Sequence, residues 1–204
     1  MTEEVLKLED IVSKMQDFIN NLYSINKTMS REVVFAAMIV KKTIDILKTA
    51  EFTLKKYIIS VQISLLRLLC DNCLAIQAAL EIGLPHMMDI IINNQRVNNI
   101  EVFESQNMTD GYLKKLVAKE YKGFDKLYNF ACEGVHFSKQ ALSGAFKDEG
   151  GKISMNIEVG NKELKDELIA NNNQMIVLCK VIMDMLKRLC NKKGNWLKII
   201  NFLF

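Results

Sequence analysis

The chain has little of what interrupts regular structure: one proline, Pro85, and nine glycines among 204 residues. That scarcity excludes collagen-like and disordered chains, and it is unlike a protein built of many short strands and turns. An excess of one charge is missing too. Lys and Arg number 27 against 24 Asp and Glu, a net of +3, far from the dense basic footprint of a protein that holds nucleic acid mainly through its phosphates. The longest apolar region, residues 57–82, carries Arg67 and Asp71 near its middle. No uncharged run approaches the roughly 18 residues of a membrane span, so no membrane partner is expected. The five cysteines, Cys70, Cys73, Cys132, Cys179 and Cys190, are odd in number, scattered and set in apolar helical pattern, as reduced thiols used as small hydrophobes are. The opening MTEEVLKLED is acidic where a secretory leader would be basic and then apolar. Together these imply a cytoplasmic protein.

What is present is helical periodicity. Half of the residues are hydrophobic and a quarter charged, enough for one domain with a core of its own. Val5, Leu8, Val12, Met15, Ile19 and Leu22 recur at three- and four-residue steps, which makes residues 1–28 an N-terminal helix with one buried stripe. Ser30 offers an N-cap to a second helix running from about Arg31 to the Lys55-Lys56 pair, with Ala37, Val40, Ile44, Leu47 and Leu54 on its apolar side. Residues 57–82 are apolar almost all the way round, as a helix surrounded by others must be. Gly83-Leu84-Pro85 ends it and opens a short helix to about Asn94. Thr109 caps a helix to about Glu120, and helical spacing resumes from Phe124 to about Leu142, as a separate helix or as the second arm of one kinked element.

Residues 30–142 thus form a helical core. A turn signal over residues 147–151 precedes Ile153, Met155, Ile157 and Val159 alternating with polar residues, so 147–160 is an extended or hairpin segment. Ile100 and Val102 alternate in the same way over a shorter stretch. Residues 161–204 comprise a long helix from Lys162 to about Cys190 and an apolar tail, Trp196 to Phe204. Along that helix Leu164, Leu168, Asn171, Met175, Leu178, Ile182, Met185 and Leu189 make a four-three seam. Its polar member, Asn171, either fixes a specific helix pairing or belongs to an exposed Asn171-Asn172-Asn173 end. The fold expected is a single all-α domain, an antiparallel bundle of five to seven helices with one short extended or hairpin segment near 150–160.

Two polar stripes are the candidates for chemistry. Ser60, Ser64, Arg67 and Asp71 fall on one line of the otherwise apolar central helix. They form either a polar pocket between helices or a structural ion pair reaching the surface. Asn129, Glu133, His136 and Gln140 make a second stripe on the later helix, whose core side carries Phe124, Tyr128, Ala131 and Val135, while Gly134 permits close helix approach. If the stripes face each other, Arg67 holds a phosphate, His136 serves as acid and base, and Asp71 and Glu133 orient them. If they do not, Glu133 and His136 are a wet helix face. Cys70-x-x-Cys73 lies within a helix and has no second pair at zinc spacing, and His86 at a helix start reads as a surface residue. The sequence therefore calls for no metal and no cofactor, and it has no phosphate loop, nucleophile elbow or paired zinc histidines.

The segment LLRLLCDN, Leu65 to Asn72, followed by LYNFACEGVHFS, Leu127 to Ser138, resembles a group of uncharacterised bacterial helical proteins that are themselves similar to HEPN-like bundles. The resemblance covers about Arg31 to Ser138. It implies an antiparallel bundle, dimerisation, and a bacterial setting of defence, stress or toxin–antitoxin systems. His136 matches the family histidine. Where the family's arginine would precede it stand Asn129, Phe130 and Ala131, so Arg67 replaces that arginine only if the fold carries it across to His136. Two functions follow as expectations: a HEPN-like protein binding or acting on RNA or a nucleotide at Arg67, Asp71, Glu133 and His136, or a non-catalytic interaction module that binds a partner helix or dimerises through its C-terminal helix and tail.

Overall fold

A computed structural model describes residues 2–26, 30–102, 106–135, 146–148, 150, 153–155 and 162–191. Among these residues there are seven α-helices: α1 (Thr2–Asn26), α2 (Arg31–Lys56), α3 (Ile59–Ile82), α4 (Leu84–Ile92), α5 (Asp110–Glu120), α6 (Phe124–Val135) and α7 (Lys165–Asn191). The architecture is an all-α helical bundle. Two small antiparallel pairs decorate it, β1 (Glu101–Val102) with β2 (Gln106–Asn107), and β3 (Phe146–Asp148) with β4 (Ile153–Met155).

Local chemistry sets the helix ends. The Ser30 hydroxyl accepts from the Val33 amide at 3.4 Å and starts α2, while Tyr57, at φ 56°, turns its amide back onto the Leu54 and Thr53 carbonyls and ends it. Gly83, at φ 81°, lets the chain leave α3, and Pro85 sits in the first turn of α4 where a missing amide costs nothing. Thr109 accepts from the Tyr112 amide at 3.3 Å and fixes the start of α5. A turn through Gly123, at φ 91°, separates α5 from α6, so the two are distinct helices.

The central position of α3 follows from its composition. It packs against α2, α4, α5, α6 and α7, while α1 closes the far side on α2 and α7. Leu66, Leu69, Cys70, Cys73, Ile76, Ala78 and Ala79 are wholly buried. Among the described residues α3 alone is long and apolar enough by composition to cross a membrane, but its apolarity is spent mostly inside the bundle on five neighbouring helices.

The seams differ from the expected ones in detail. On α1 the fully buried set is Val5, Leu8, Ile11, Met15, Phe18 and Leu22, with Val12 and Ile19 half-buried, because α1 leans on two helices and so needs a wider stripe. On α7 both Asn171 and Asn172 are buried, so this run is no exposed helix end. The short alternation at Val102 is a strand, and so is the start of the stronger one at Ile153–Met155. Lys147 and Asp148, read as turn residues, instead belong to β3, since Asp148 pairs with Ile153. Residues 136–142 of the long helix expected from Phe124, Ile157 and Val159, and the tail 196–204 lie outside the described residues.

Candidate functional site

The Arg67–Asp71 part of the central polar stripe is half-buried and tied into the bundle. Arg67 on α3 forms an ion pair with Asp71 one turn on, and its Nη2 reaches Oδ2 of Asp110 in the first turn of α5 at 3.2 Å. The same nitrogen donates to the Tyr128 hydroxyl of α6 at 2.7 Å, and the guanidinium lies 4.3 Å from the centre of the Tyr128 ring. Tyr128 in turn donates to Asp110 at 3.0 Å. Burial, reinforced by the Asp110 carboxylate and opposed by Arg67, pushes the phenol's pKa well up, so Tyr128 remains a donor. Lys114 of α5 lies 5.4 Å from the same ring and donates to Asn129 at 2.9 Å.

This constellation joins three helices. One guanidinium faces two carboxylates and a phenol, and it spends its donors on groups of the protein itself. It is a clasp, with α3, α5 and α6 each contributing a side chain. Of the predicted site residues, Arg67 and Asp71 are therefore together, whereas Glu133 stands on the exposed face of α6 and His136 lies outside the described residues. The partners that Arg67 has gained are Asp110, the acid in the first turn of α5, and Tyr128, which the sequence offered only as a core aromatic. Ser64 donates to the Ser60 carbonyl at 3.3 Å, so the upper part of the stripe serves its own helix. Cys70 and Cys73 are free, buried thiols, and burial pushes Cys70 up to about 12 and Cys73 well above its ordinary range. Among the described residues no group of three or more His, Cys, Asp or Glu could hold a metal ion.

A second feature lies across the bundle. α6 and α7 each pack on α3, and between them runs a cleft of ≈ 640 Å³ lined by Phe124, Leu127, Phe130, Val177, Leu178 and Val181. Lys122, Lys126 and Gln174 complete its wall with Tyr121 and Gly123. One end is tied shut. Tyr121 donates to Asp184, and Arg188 pairs with Glu120 through two nitrogens, the longer contact 2.9 Å. Burial and the Asp184 carboxylate raise the Tyr121 pKa strongly. Val177 remains 55% exposed although it sits in an apolar wall. The signal for this cleft was in the sequence: Leu127 and Phe130 give α6 a second apolar face beside the one holding Phe124, Tyr128 and Ala131, more than burial against α3 requires.

Compared with family models, with curated proteins and with solved structures, the chain finds no match in any of the three.

Proposed function

We propose that this protein is a non-catalytic helical interaction module whose α6–α7 cleft receives an apolar helix edged with acidic residues from a partner protein. The observation that carries this reading is the chemistry of the cleft: an apolar floor with two lysines, Lys122 and Lys126, and no carboxylate among the described residues that line it. An amphipathic helix docks by laying anchors spaced i, i+4 and i+7 into such a groove. Gln174, Val177, Leu178 and Val181 present matching steps over two turns of α7. Lysines at the rim favour carboxylates on the incoming flank and speed encounter.

The competing expectation, RNA or nucleotide binding at a HEPN-like site, draws less from the same geometry. A phosphate would have to displace Asp71, Asp110 and Tyr128 from Arg67 before meeting a free guanidinium. Self-association through α7 and the tail would use some of the same surface. Measuring mass over a wide concentration range separates it from binding of a different protein.

The direct test uses two synthetic amphipathic helices with the same leucine anchors, one flanked by glutamates and the other by lysines, titrated against the full chain by fluorescence anisotropy. Saturable binding of the glutamate-flanked helix is expected, weakened by Lys122→Glu with Lys126→Glu and by Val177→Asp. No binding, or equal binding of the two helices, would overturn the reading.

A further inference from the structure

A second cleft, of ≈ 400 Å³, sits at the opposite end of α3 from the α2–α3 turn. It is lined by Ala79, Leu80, Ile82, Leu84 and Pro85 around the α3–α4 turn, by Leu189 near the end of α7, and by two carboxylates, Glu32 and Glu81. Glu81 accepts from the Gln77 amide at 2.7 Å, and the end of α7 lies close enough for Glu32 to disfavour ionisation of the Cys190 thiol. The last carbonyls of α3 add the negative end of a helix dipole. The site is therefore an apolar hollow with an acidic edge, two residues of chain from Asn191.

The sequence that continues from Asn191 is complementary to it. Lys192 and Lys193 come first, Gly194 permits a reversal, and Trp196, Leu197, Ile199 and Ile200 follow. We propose that this chain's own segment 192–200 docks in the α3–α4 cleft, with Lys192 and Lys193 against Glu32 and Glu81 and with the Trp196 indole in the apolar hollow. Three features converge on that occupant. The segment starts beside a residue that lines the cleft, Leu189. Its charge is opposite to that of the cleft edge. At about 3.3 Å per extended residue, Trp196 reaches up to roughly 17 Å from Asn191, ample for a cleft that Leu189, two residues earlier, already lines. An indole brings a large apolar area with a polar N–H, well suited to a half-open site. The tethered segment also meets the cleft at an effective concentration that a free partner would have to exceed. This latch is independent of the α6–α7 cleft and stands or falls separately.

Trp196 is the single tryptophan of the chain, so its fluorescence reports the contact directly. In the full-length protein the emission should be blue-shifted and several-fold less quenched by acrylamide than in a synthetic peptide of residues 192–204, at every protein concentration. Glu32→Lys with Glu81→Lys should expose the indole, and so should Lys192→Glu with Lys193→Glu, which leaves the described core untouched. Combining all four reversals should restore protection. Peptide-like quenching in the unaltered chain would overturn the proposal, as would protection indifferent to both charge reversals. Protection lost on dilution would overturn it in favour of a second copy supplying the segment.

Discussion

Asn172 of α7, wholly buried, donates its amide to the Glu4 carboxylate of α1 at 3.3 Å and to the Glu4 carbonyl at 3.4 Å, joining positions 168 residues apart. The Glu4 side chain is itself buried and receives Lys7 at 2.7 Å. The lysine contact outweighs burial, and with help from Asn172 it holds the Glu4 carboxyl below its ordinary value of 4.5. A buried polar pair of this kind fixes the register of two helices at little net gain, yet is costly to break.

Asn172→Leu should therefore destabilise the fold by about 1–3 kcal/mol in chemical denaturation, the usual cost of stranding a buried acceptor. The pH dependence has a definite sign. Because the folded-state pKa of Glu4 is depressed, its contribution is present above pH 4.5 and is lost as pH falls below that value through the folded one. Glu4→Gln should flatten this part of the acid limb, and an unchanged acid limb would show that Glu4 is not held as described.

Gly134 gives a steric test of the α3–α6 contact. A β-carbon there would overlap Cγ2 of Ile63 and come within 3.0 Å of Ile63 Cβ. In an exposed helix Gly→Ala gains about 1 kcal/mol. Here overpacking reverses the sign, and Gly134→Ala should cost about 1–3 kcal/mol. Ile63→Ala should recover part of that loss, so the double-mutant cycle should show favourable coupling between the two changes. Simple additivity would mean that α6 does not approach α3 at Gly134.

The Arg67 clasp predicts a stability effect without a loss of ligand. Removing the guanidinium leaves Asp71 half-buried without its ion-pair partner and Asp110 with the Tyr128 hydroxyl alone, so Arg67→Ala should destabilise by about 2–3 kcal/mol, less than a deeply buried pair would. Arg67→Lys should recover little, because an ammonium cannot reach two carboxylates and stack on a ring at once. Tyr128→Phe should cost about 1 kcal/mol, one hydrogen-bonded hydroxyl. Binding to a single-stranded RNA probe, measured where each variant is folded, should be the same as in the unaltered chain. A specific loss in Arg67→Ala would return the function to the phosphate site.

Much of the fold was legible because helical periodicity and caps are local. Ser30, Pro85 and Thr109 mark helix starts by chemistry that acts within a turn, and α3 could be placed at the centre because its sequence is apolar almost all the way round. Arg67 and Asp71 were legible as a pair for the same reason, being one turn apart. Their partners were not. Asp110 and Tyr128 lie 43 and 61 residues from Arg67, and although the apolar pattern put Tyr128 on the core side of α6, nothing in it says which helix that side will meet. The core residues Tyr128 and Ala131 set the rotation of α6, and it turns Glu133 outward. Likewise a seam pattern pointed to Asn171, whereas the contact is made by Asn172, since α7 buries a face wide enough to hold both.

Thiol chemistry tests the character of Cys70-x-x-Cys73. Cys70, Cys73, Cys179 and Cys190 are buried, and Cys132, on α6, is the only half-exposed cysteine of the five. Desolvation raises the Cys70 and Cys190 thiols to about 12, leaving almost no thiolate to attack at neutral pH. An aromatic disulfide reagent should therefore label Cys132 in the native protein and the other four only on unfolding, and Cys132→Ala should leave the native chain nearly silent. Two fast thiols at Cys70 and Cys73 would instead mean an accessible C-x-x-C pair and a redox role.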